Sequence, residues 1–122
     1  MRYRSETIRS GGALGWLVQR FTGGLLVALV LTHFFIVHFG SGGDLSYETV
    51  AQRLSSPIWT TLERILLATA LWHGGYGFWL VVQDYVKSFS LRMMLLLALW
   101  TVGLGAFVLG WLALISLGRG QI

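Results

Sequence analysis

The sequence predicts an all-α membrane protein with three transmembrane helices. Of its 122 residues, 55% are hydrophobic and 11% are charged, and the mean hydropathy is +0.69. These values are typical of a chain surrounded by lipid. Three apolar stretches, 14–39, 58–86 and 93–117, are each long enough to cross a hydrocarbon core of about 30 Å, which takes about 20 helical residues. We expect residues 1–122 to form a single membrane-anchor domain.

Cysteine is absent, and this limits the chemistry of the chain. Disulfides, cysteine-bound zinc and iron–sulfur ligation within this chain are excluded, so a bound metal would need histidine, methionine or carboxylate ligands. The net charge of +4 comes from basic residues at the ends of the apolar stretches, not from residues along one helix face. We therefore expect no nucleic-acid partner and interpret these charges as determinants of membrane topology.

The basic residues also predict the orientation in the membrane. Five of them precede the first stretch or follow the second: Arg2, Arg4, Arg9, Lys87 and Arg92. The first loop and the C-terminal tail carry one each, Arg53 and Arg119. Because Lys and Arg concentrate in cytoplasmic loops, we expect the N-terminus and the second loop in the cytoplasm.

The first loop contains signals for a short surface helix. Residues 41–44 (SGGD) break the first transmembrane helix, and residues 45–54 are expected to form a short helix with Ser46 as its N-cap. The second transmembrane helix then begins with Ser56 as its N-cap and Pro57 in its first turn.

Glycines are frequent in all three predicted transmembrane helices. They are Gly23, Gly24, Gly74, Gly75, Gly77, Gly103, Gly105 and Gly110. Small residues let helices approach closely in lipid, so each glycine-containing helix face is a candidate contact with another helix. The chain has more such faces than three helices need for packing against one another. We expect further helices around this chain, either in an ordinary homo-oligomer or in a bundle with a partner anchor chain. In the second case the glycines beside His73 would open space for a flat macrocycle.

Two histidines lie well inside the predicted helices. His73 is thirteen residues before Val86, which places it about 20 Å from the cytoplasmic end of the second helix. His33 is nineteen residues after Leu14, or about 28 Å from the cytoplasmic end of the first helix. His38 lies at the outer end of that helix, where it reaches interfacial water.

A neutral imidazole in lipid is a good ligand for haem iron, because its second nitrogen can donate to an acceptor that fixes the ring. The alternative is a histidine hydrogen-bonded across helices for packing, and the residues alone leave both roles open for His73 and His33. If both are ligands, they do not share one iron, because their expected depths differ by about 9 Å. Each haem then needs its second histidine from another subunit.

An Asp-Tyr pair ends the second helix. Tyr85 is twelve residues after His73, or about 18 Å nearer the cytoplasm. The Tyr85 hydroxyl can donate to a quinone oxygen and Asp84 can relay protons from water, while Arg20 is expected at the same depth and in the same pocket. The alternatives are an aromatic-belt role for Tyr85, solvation of Asp84 and a snorkelling anchor at Arg20.

These motifs together resemble one known family. Residues 72–77 (WHGGYG) and 83–87 (QDYVK) are similar to the second helix of the small hydrophobic anchor subunit of succinate dehydrogenase, complex II. In that family a haem-ligating His is followed twelve residues later by the Tyr of an Asp-Tyr pair. Residues 19–24 (QRFTGG), His33 and residues 50–57 (VAQRLSSP) are similar to the variant with two separate anchor chains and two haems.

The resemblance implies one subunit of an oxidoreductase rather than a complete enzyme. The sequence has no flavin-binding glycine pattern and no cysteine cluster, so succinate oxidation would belong to a flavoprotein subunit and the electron relay to an iron–sulfur subunit. With a second anchor subunit, this chain would hold one or two b-type haems through His73 and His33. It would reduce a quinone, with menaquinone favoured, near Tyr85, Asp84 and Arg20. The expected location is the cytoplasmic membrane, within the respiratory chain.

The alternative is a small membrane protein without redox chemistry, either a haem-free anchor or a transporter subunit. Proton-coupled transporters usually place an acidic residue in the middle of a transmembrane helix. Glu63 and Asp84 are expected near helix ends, which argues against transport. The sequence does not exclude a haem-free anchor.

Overall fold

The computed structural model describes residues 12–119, which form four α-helices. They are α1 (Gly12–Phe39), α2 (Tyr47–Leu54), α3 (Pro57–Tyr85) and α4 (Phe89–Gly118), with a short 3-10 turn at Gly40–Gly43. Three of them, α1, α3 and α4, are long and apolar enough to cross a membrane. The predicted all-α class with three transmembrane helices is confirmed. Arg2, Arg4 and Arg9, on which the orientation rests in part, lie outside the described residues.

The third transmembrane helix begins earlier than its apolar pattern predicts. It starts at Phe89, four residues before Met93, because the Ser88 side chain accepts a hydrogen bond from the Leu91 amide and caps the helix. The Arg92 side chain donates to the Val86 carbonyl, which joins the first turn of α4 to the end of α3. The second loop is therefore only residues 86–88, and the expectation that Arg92 lies in it is wrong.

The predicted surface helix in the first loop is confirmed. α2 begins after Ser46, whose hydroxyl accepts from the Thr49 amide. Arg53 then ties this helix back to the end of α1, because its Nη2 donates to the Gly40 carbonyl over 3.0 Å. Ser56 occupies the N-cap position of α3 and Pro57 its first turn, although the Ser56 side chain makes no capping hydrogen bond.

Asp44 organises the start of α2. Its carboxylate accepts from the Ser46 amide (2.9 Å), the Ser46 hydroxyl (2.8 Å) and the Thr49 hydroxyl (2.5 Å). These hydrogen bonds, that from the Thr49 side chain first, favour the charged form and lower the pKa of Asp44 below its ordinary value. A lowered pKa means that the carboxylate stabilises the folded loop above about pH 3.9 and that this contribution is lost as the pH falls through the folded-state pKa.

Asp44→Asn should therefore loosen the start of α2 at neutral pH, because an amide presents one acceptor oxygen in place of two. The expected result is lower protection from hydrogen–deuterium exchange, relative to the intrinsic rate at the same pH, in the peptide covering residues 44–54, while the parent protein loses this protection only in acid. Glu48→Gln is the matched control, since it removes one exposed negative charge from the same turn. Equal exchange in parent and Asp44→Asn at neutral pH would contradict this role.

α3 lies between the other two long helices, and α1 and α4 each pack against it. Few residues of the described chain are buried: Leu54, Thr60, Thr69 and Val82. An added Cβ atom at Gly24, Gly74, Gly103 or Gly105 would meet nothing within 4 Å. Most apolar side chains and several glycines of residues 12–119 are thus not covered by this chain itself, and the expectation of further helices around it stays a prediction.

The ends of α2 and α4 approach closely at Gly118. A Cβ atom there would lie 2.7 Å from the Leu54 carbonyl oxygen, which is a backbone atom and cannot rotate away. Gly118→Ala should therefore separate the two helix ends and cost about 1–3 kcal/mol of stability. The measurement is the thermal midpoint of the detergent-purified assembly, which is expected to fall.

Gly105→Ala provides the control for that experiment, because its Cβ would meet nothing within 4 Å in the same helix. Both substitutions exchange a glycine of α4 for alanine, and Ala is the better helix former in the helix interior where Gly105 lies. An equal thermal midpoint for the two variants would show that Gly118 makes no close contact.

Candidate functional site

His73 projects from the middle of α3 against α1. The Thr22 hydroxyl lies 3.1 Å from His73 Nδ1, and the Gln19 side chain donates from Nε2 to the His73 carbonyl over 3.0 Å. Gly23 makes this approach possible, since a Cβ atom there would lie 3.1 Å from His73 Cε1. Residues 19, 22 and 23 share one face of α1 because they are three and four positions apart.

The hydrogen bonds of Thr22 favour one tautomer of His73. The Thr22 hydroxyl has one hydrogen and two carbonyl acceptors within reach, that of Val18 at 2.8 Å and that of Gln19 at 3.1 Å. When this hydrogen is donated to a carbonyl, the hydroxyl oxygen accepts at His73, which puts the proton on Nδ1 and leaves the lone pair on Nε2. An imidazole fixed by a partner at one nitrogen and able to donate electrons at the other has the state required of a metal ligand.

A cavity of about 810 Å³ opens beside this imidazole. Its lining combines glycines, aromatic rings and one cation: Gly12, Trp16, Gln19, Arg20, Gly23, Gly24, His73, Tyr76 and Leu80. The Arg20 guanidinium lies 4.3 Å from the centroid of the Trp16 ring, one turn toward the start of α1. Gln19 Oε1 is buried and has no hydrogen-bond partner among residues 12–119.

Some of the glycines predicted to open space beside His73 do not line this cavity. Gly23 and Gly24 of α1 line it, whereas Gly74 and Gly75 line a separate apolar groove of about 520 Å³ between α3 and α4. The expectation that the α3 glycines next to His73 open the space is therefore wrong for Gly74 and Gly75. Those two follow His73 in the chain but project at other angles around the helix.

His33 has a different set of neighbours. Its Nδ1 lies 2.7 Å from Glu63 Oε1, and its ring stacks on Trp59 with 6.0 Å between centroids and 17° between planes. The Glu63 side chain is 13% exposed and the His33 side chain 42%. Both partners come from one face of α3, since Trp59 and Glu63 are four residues apart.

The two histidines lie further apart than the sequence predicts. His73 packs against Thr22 and Gly23, and His33 is ten residues beyond Gly23 on α1, so the separation along the helix is about 15 Å. The predicted 9 Å is too small, because it measured each depth from its own helix end and assumed that the two ends are level. At this separation the two imidazoles could not share one iron if both were ligands, and their ligand role stays a prediction.

Tyr85 and Asp84 lie at the end of α3, outside the lining of the His73 cavity. Tyr85 is 81% exposed. Arg20 does not share their depth: the contact of Gly23 with His73 in antiparallel helices places the Arg20 backbone level with Tyr76, about 14 Å from Tyr85 along the axis. Its guanidinium lies over the Trp16 ring, one turn nearer the start of α1.

Sequence reasoning missed three polar partners, Gln19, Thr22 and Glu63. A usable signal was present, because Gln19 and Thr22 share a helix face with Gly23 inside an apolar stretch. In an antiparallel pair, ten residues along α1 from Gly23 to His33 correspond to ten residues back along α3 from His73 to Glu63. No group of three His, Asp or Glu side chains in residues 12–119 is arranged to hold a bare metal ion.

Comparisons with known proteins point to one family. The model of the succinate dehydrogenase/fumarate reductase transmembrane subunit family matches residues 4–113. Among individual proteins, the chain is similar to succinate dehydrogenase hydrophobic membrane anchor subunits of three organisms. In Archaeoglobus fulgidus the identity is 32% over 71 residues, which is 58% of this chain and 61% of that subunit.

The two bacterial relatives are matched over more of their length. In Coxiella burnetii the identity is 30%, covering 80% of this chain and 83% of the relative, and in Rickettsia typhi it is 26%, covering 80% and 76%. The matched segment thus spans just under two thirds of the archaeal subunit and more than three quarters of the bacterial ones. Together with three transmembrane helices, these matches show that the chain belongs to the succinate dehydrogenase/fumarate reductase transmembrane subunit family, as a succinate dehydrogenase membrane anchor subunit.

Proposed function

We propose that this anchor subunit binds b-type haem and quinone and conducts electrons from an iron–sulfur subunit to the quinone. The observation that carries the proposal is the state of His73, whose Nδ1 is held by Thr22 beside a cavity of about 810 Å³. The location as a multi-pass protein of the cytoplasmic membrane is consistent with the family and with the three apolar helices.

The residues around His73 fit a haem in three respects. The protonated Nδ1 leaves Nε2 as the iron ligand. Gly23 and Gly24 add no side chain to the cavity wall, which leaves room for a planar macrocycle. Arg20 supplies a positive charge that would pair with a carboxylate of the bound group.

His33 would hold the second haem. Glu63 accepts from Nδ1 and again leaves Nε2 as the ligand nitrogen. Because the two histidines are separated by about 15 Å, each would bind its own iron. A second anchor subunit would supply a further iron ligand in each case.

Bound haem would supply one-electron oxidation and reduction between the iron–sulfur subunit and the quinone. The quinone, with menaquinone favoured by the resemblance to the two-haem variant, would bind at the end of α3. There Tyr85 would donate a hydrogen bond to a quinone oxygen and Asp84 would deliver protons from the aqueous side. The Arg20 guanidinium, lying between the depths of His73 and Tyr85, would stabilise negative charge on the ring.

Anaerobic reduction of the purified complex by succinate tests this function. Reduced b-type haem bands should appear within one turnover and disappear when a menaquinone analogue is added. A complex with no haem band even after dithionite would leave a haem-free anchor, which is the alternative. If dithionite reduces the haem and succinate does not, the haem lies outside the path of electrons from succinate to the quinone.

A further inference from the structure

Glu63 is a carboxylate inside a transmembrane helix, and its side chain is paired with a histidine. It lies six residues after the start of α3, about 9 Å along the helix, and its side chain is 13% exposed. Carboxylates in lipid are costly and are retained where they have a partner and a function. Its Oε1 lies 2.7 Å from His33 Nδ1, a distance typical of a charge-assisted hydrogen bond.

The two histidines therefore have chemically different acceptors. His73 donates to Thr22, a neutral hydroxyl that already donates to the Val18 carbonyl. His33 donates to a carboxylate, which withdraws the Nδ1 proton more strongly and makes the other nitrogen a better electron donor. Trp59, stacked on the His33 ring, limits its rotation and keeps Nδ1 directed at Glu63.

We propose that Glu63 is a positioning residue for the iron-ligating His33 and that its negative charge lowers the reduction potential of the haem bound there. This rests on the proposed function, because it requires an iron at His33 Nε2. The carboxylate acts through the imidazole: it fixes the tautomer, holds the ring and strengthens the donation to the oxidised iron. The chain thereby sets the properties of its two haem sites separately, with a carboxylate at one and a hydroxyl at the other.

Glu63→Gln in the complete, purified complex tests this role. The amide oxygen still accepts from Nδ1, so both haems should be retained, but the negative charge is gone. At a fixed potential the ratio of reduced to oxidised haem at His33 should rise about tenfold, which is 59 mV for a one-electron couple. The low-spin electron paramagnetic resonance signal of that haem should shift as well, while the haem at His73 stays unchanged.

Two further variants separate the hydrogen bond from the charge alone. Glu63→Asp keeps the charge but is one methylene shorter, so a shift in the same direction as Glu63→Gln shows that the hydrogen bond to His33 transmits the effect. Glu48→Gln removes a carboxylate of the surface helix and should leave both potentials unchanged. A Glu63→Asp complex that loses only the His33 haem, with Glu63→Gln retaining it, would also support the positioning role.

The outcomes distinguish this inference from the proposed function. Unchanged potentials and spectra in Glu63→Gln, with two haems present, would overturn the role of Glu63 and leave the two-haem function intact. A parent complex without a haem at His33 would overturn both.

Discussion

Thr22→Val should weaken the retention of the haem at His73 by about 10- to 100-fold, the usual cost of losing a partner that orients a metal ligand. Valine has nearly the shape of threonine but cannot accept from Nδ1, so the imidazole loses the contact that fixes its tautomer. The measurement is haem content per complex after dilution into haem-scavenging apomyoglobin. The haem at His33 should be released at the parent rate.

Thr32→Val is the matched control for this prediction. Thr32 lies on the same helix, and its hydroxyl donates to the carbonyl four residues earlier, as that of Thr22 does, over 2.8 Å. It contacts neither histidine in the hydrogen bonds of the described residues. If Thr32→Val and Thr22→Val released haem equally fast, the loss would come from helix destabilisation rather than from His73.

Tyr85→Phe should lower the quinone reductase activity about 10- to 100-fold while haem content stays unchanged. The substitution removes a single hydroxyl, and a hydrogen bond to a group that gains negative charge is worth about 1.5–3 kcal/mol. Succinate-dependent reduction of a soluble dye, which bypasses the quinone, should be unaffected. Comparing the two activities measures the effect at the quinone site alone.

Tyr47→Phe serves as the control, since Tyr47 is an exposed tyrosine at the start of α2, on the opposite side of the membrane. Unchanged quinone reduction in Tyr85→Phe would assign Tyr85 to the aromatic belt at the membrane surface, the alternative that the sequence left open.

The transmembrane helices were predictable because hydrophobic length is a strong signal in lipid. α1 and α3 agree with the apolar stretches to within two residues at each end. The start of α4 was not predictable from hydropathy. The Ser88 cap and the hydrogen bond from the Arg92 side chain to the end of α3 extend the helix back over Phe89 to Arg92. A hydropathy pattern carries no information about such local hydrogen bonds.

The candidate site was predictable only in part, for a related reason. His73 was visible as an imidazole in an apolar stretch, but its partner Thr22 belongs to another helix, and the register between helices depends on packing. The same register overturned the expected depth of Arg20 and the 9 Å separation of the histidines. Once Gly23 is placed against His73, antiparallel geometry brings Glu63 to His33 without further information.

The different surroundings of the two histidines have a functional consequence. His73 lies beside a cavity lined by glycines and a cation, and His33 is clamped between a carboxylate and an indole ring. At about 15 Å along the axis the two imidazoles are too far apart to share one iron, and under the proposal haems bound there would pass electrons between them. This arrangement is the centre of the account.

The most direct test is to count haems per complex in the parent and in His73→Ala and His33→Ala, from dithionite-reduced minus oxidised spectra. His38→Ala is the control, because that imidazole contacts the Phe34 carbonyl at the exposed end of α1. The account predicts two haems in the parent and in the control, and one in each of the other variants, with different spectra. Two haems retained in His73→Ala would contradict it.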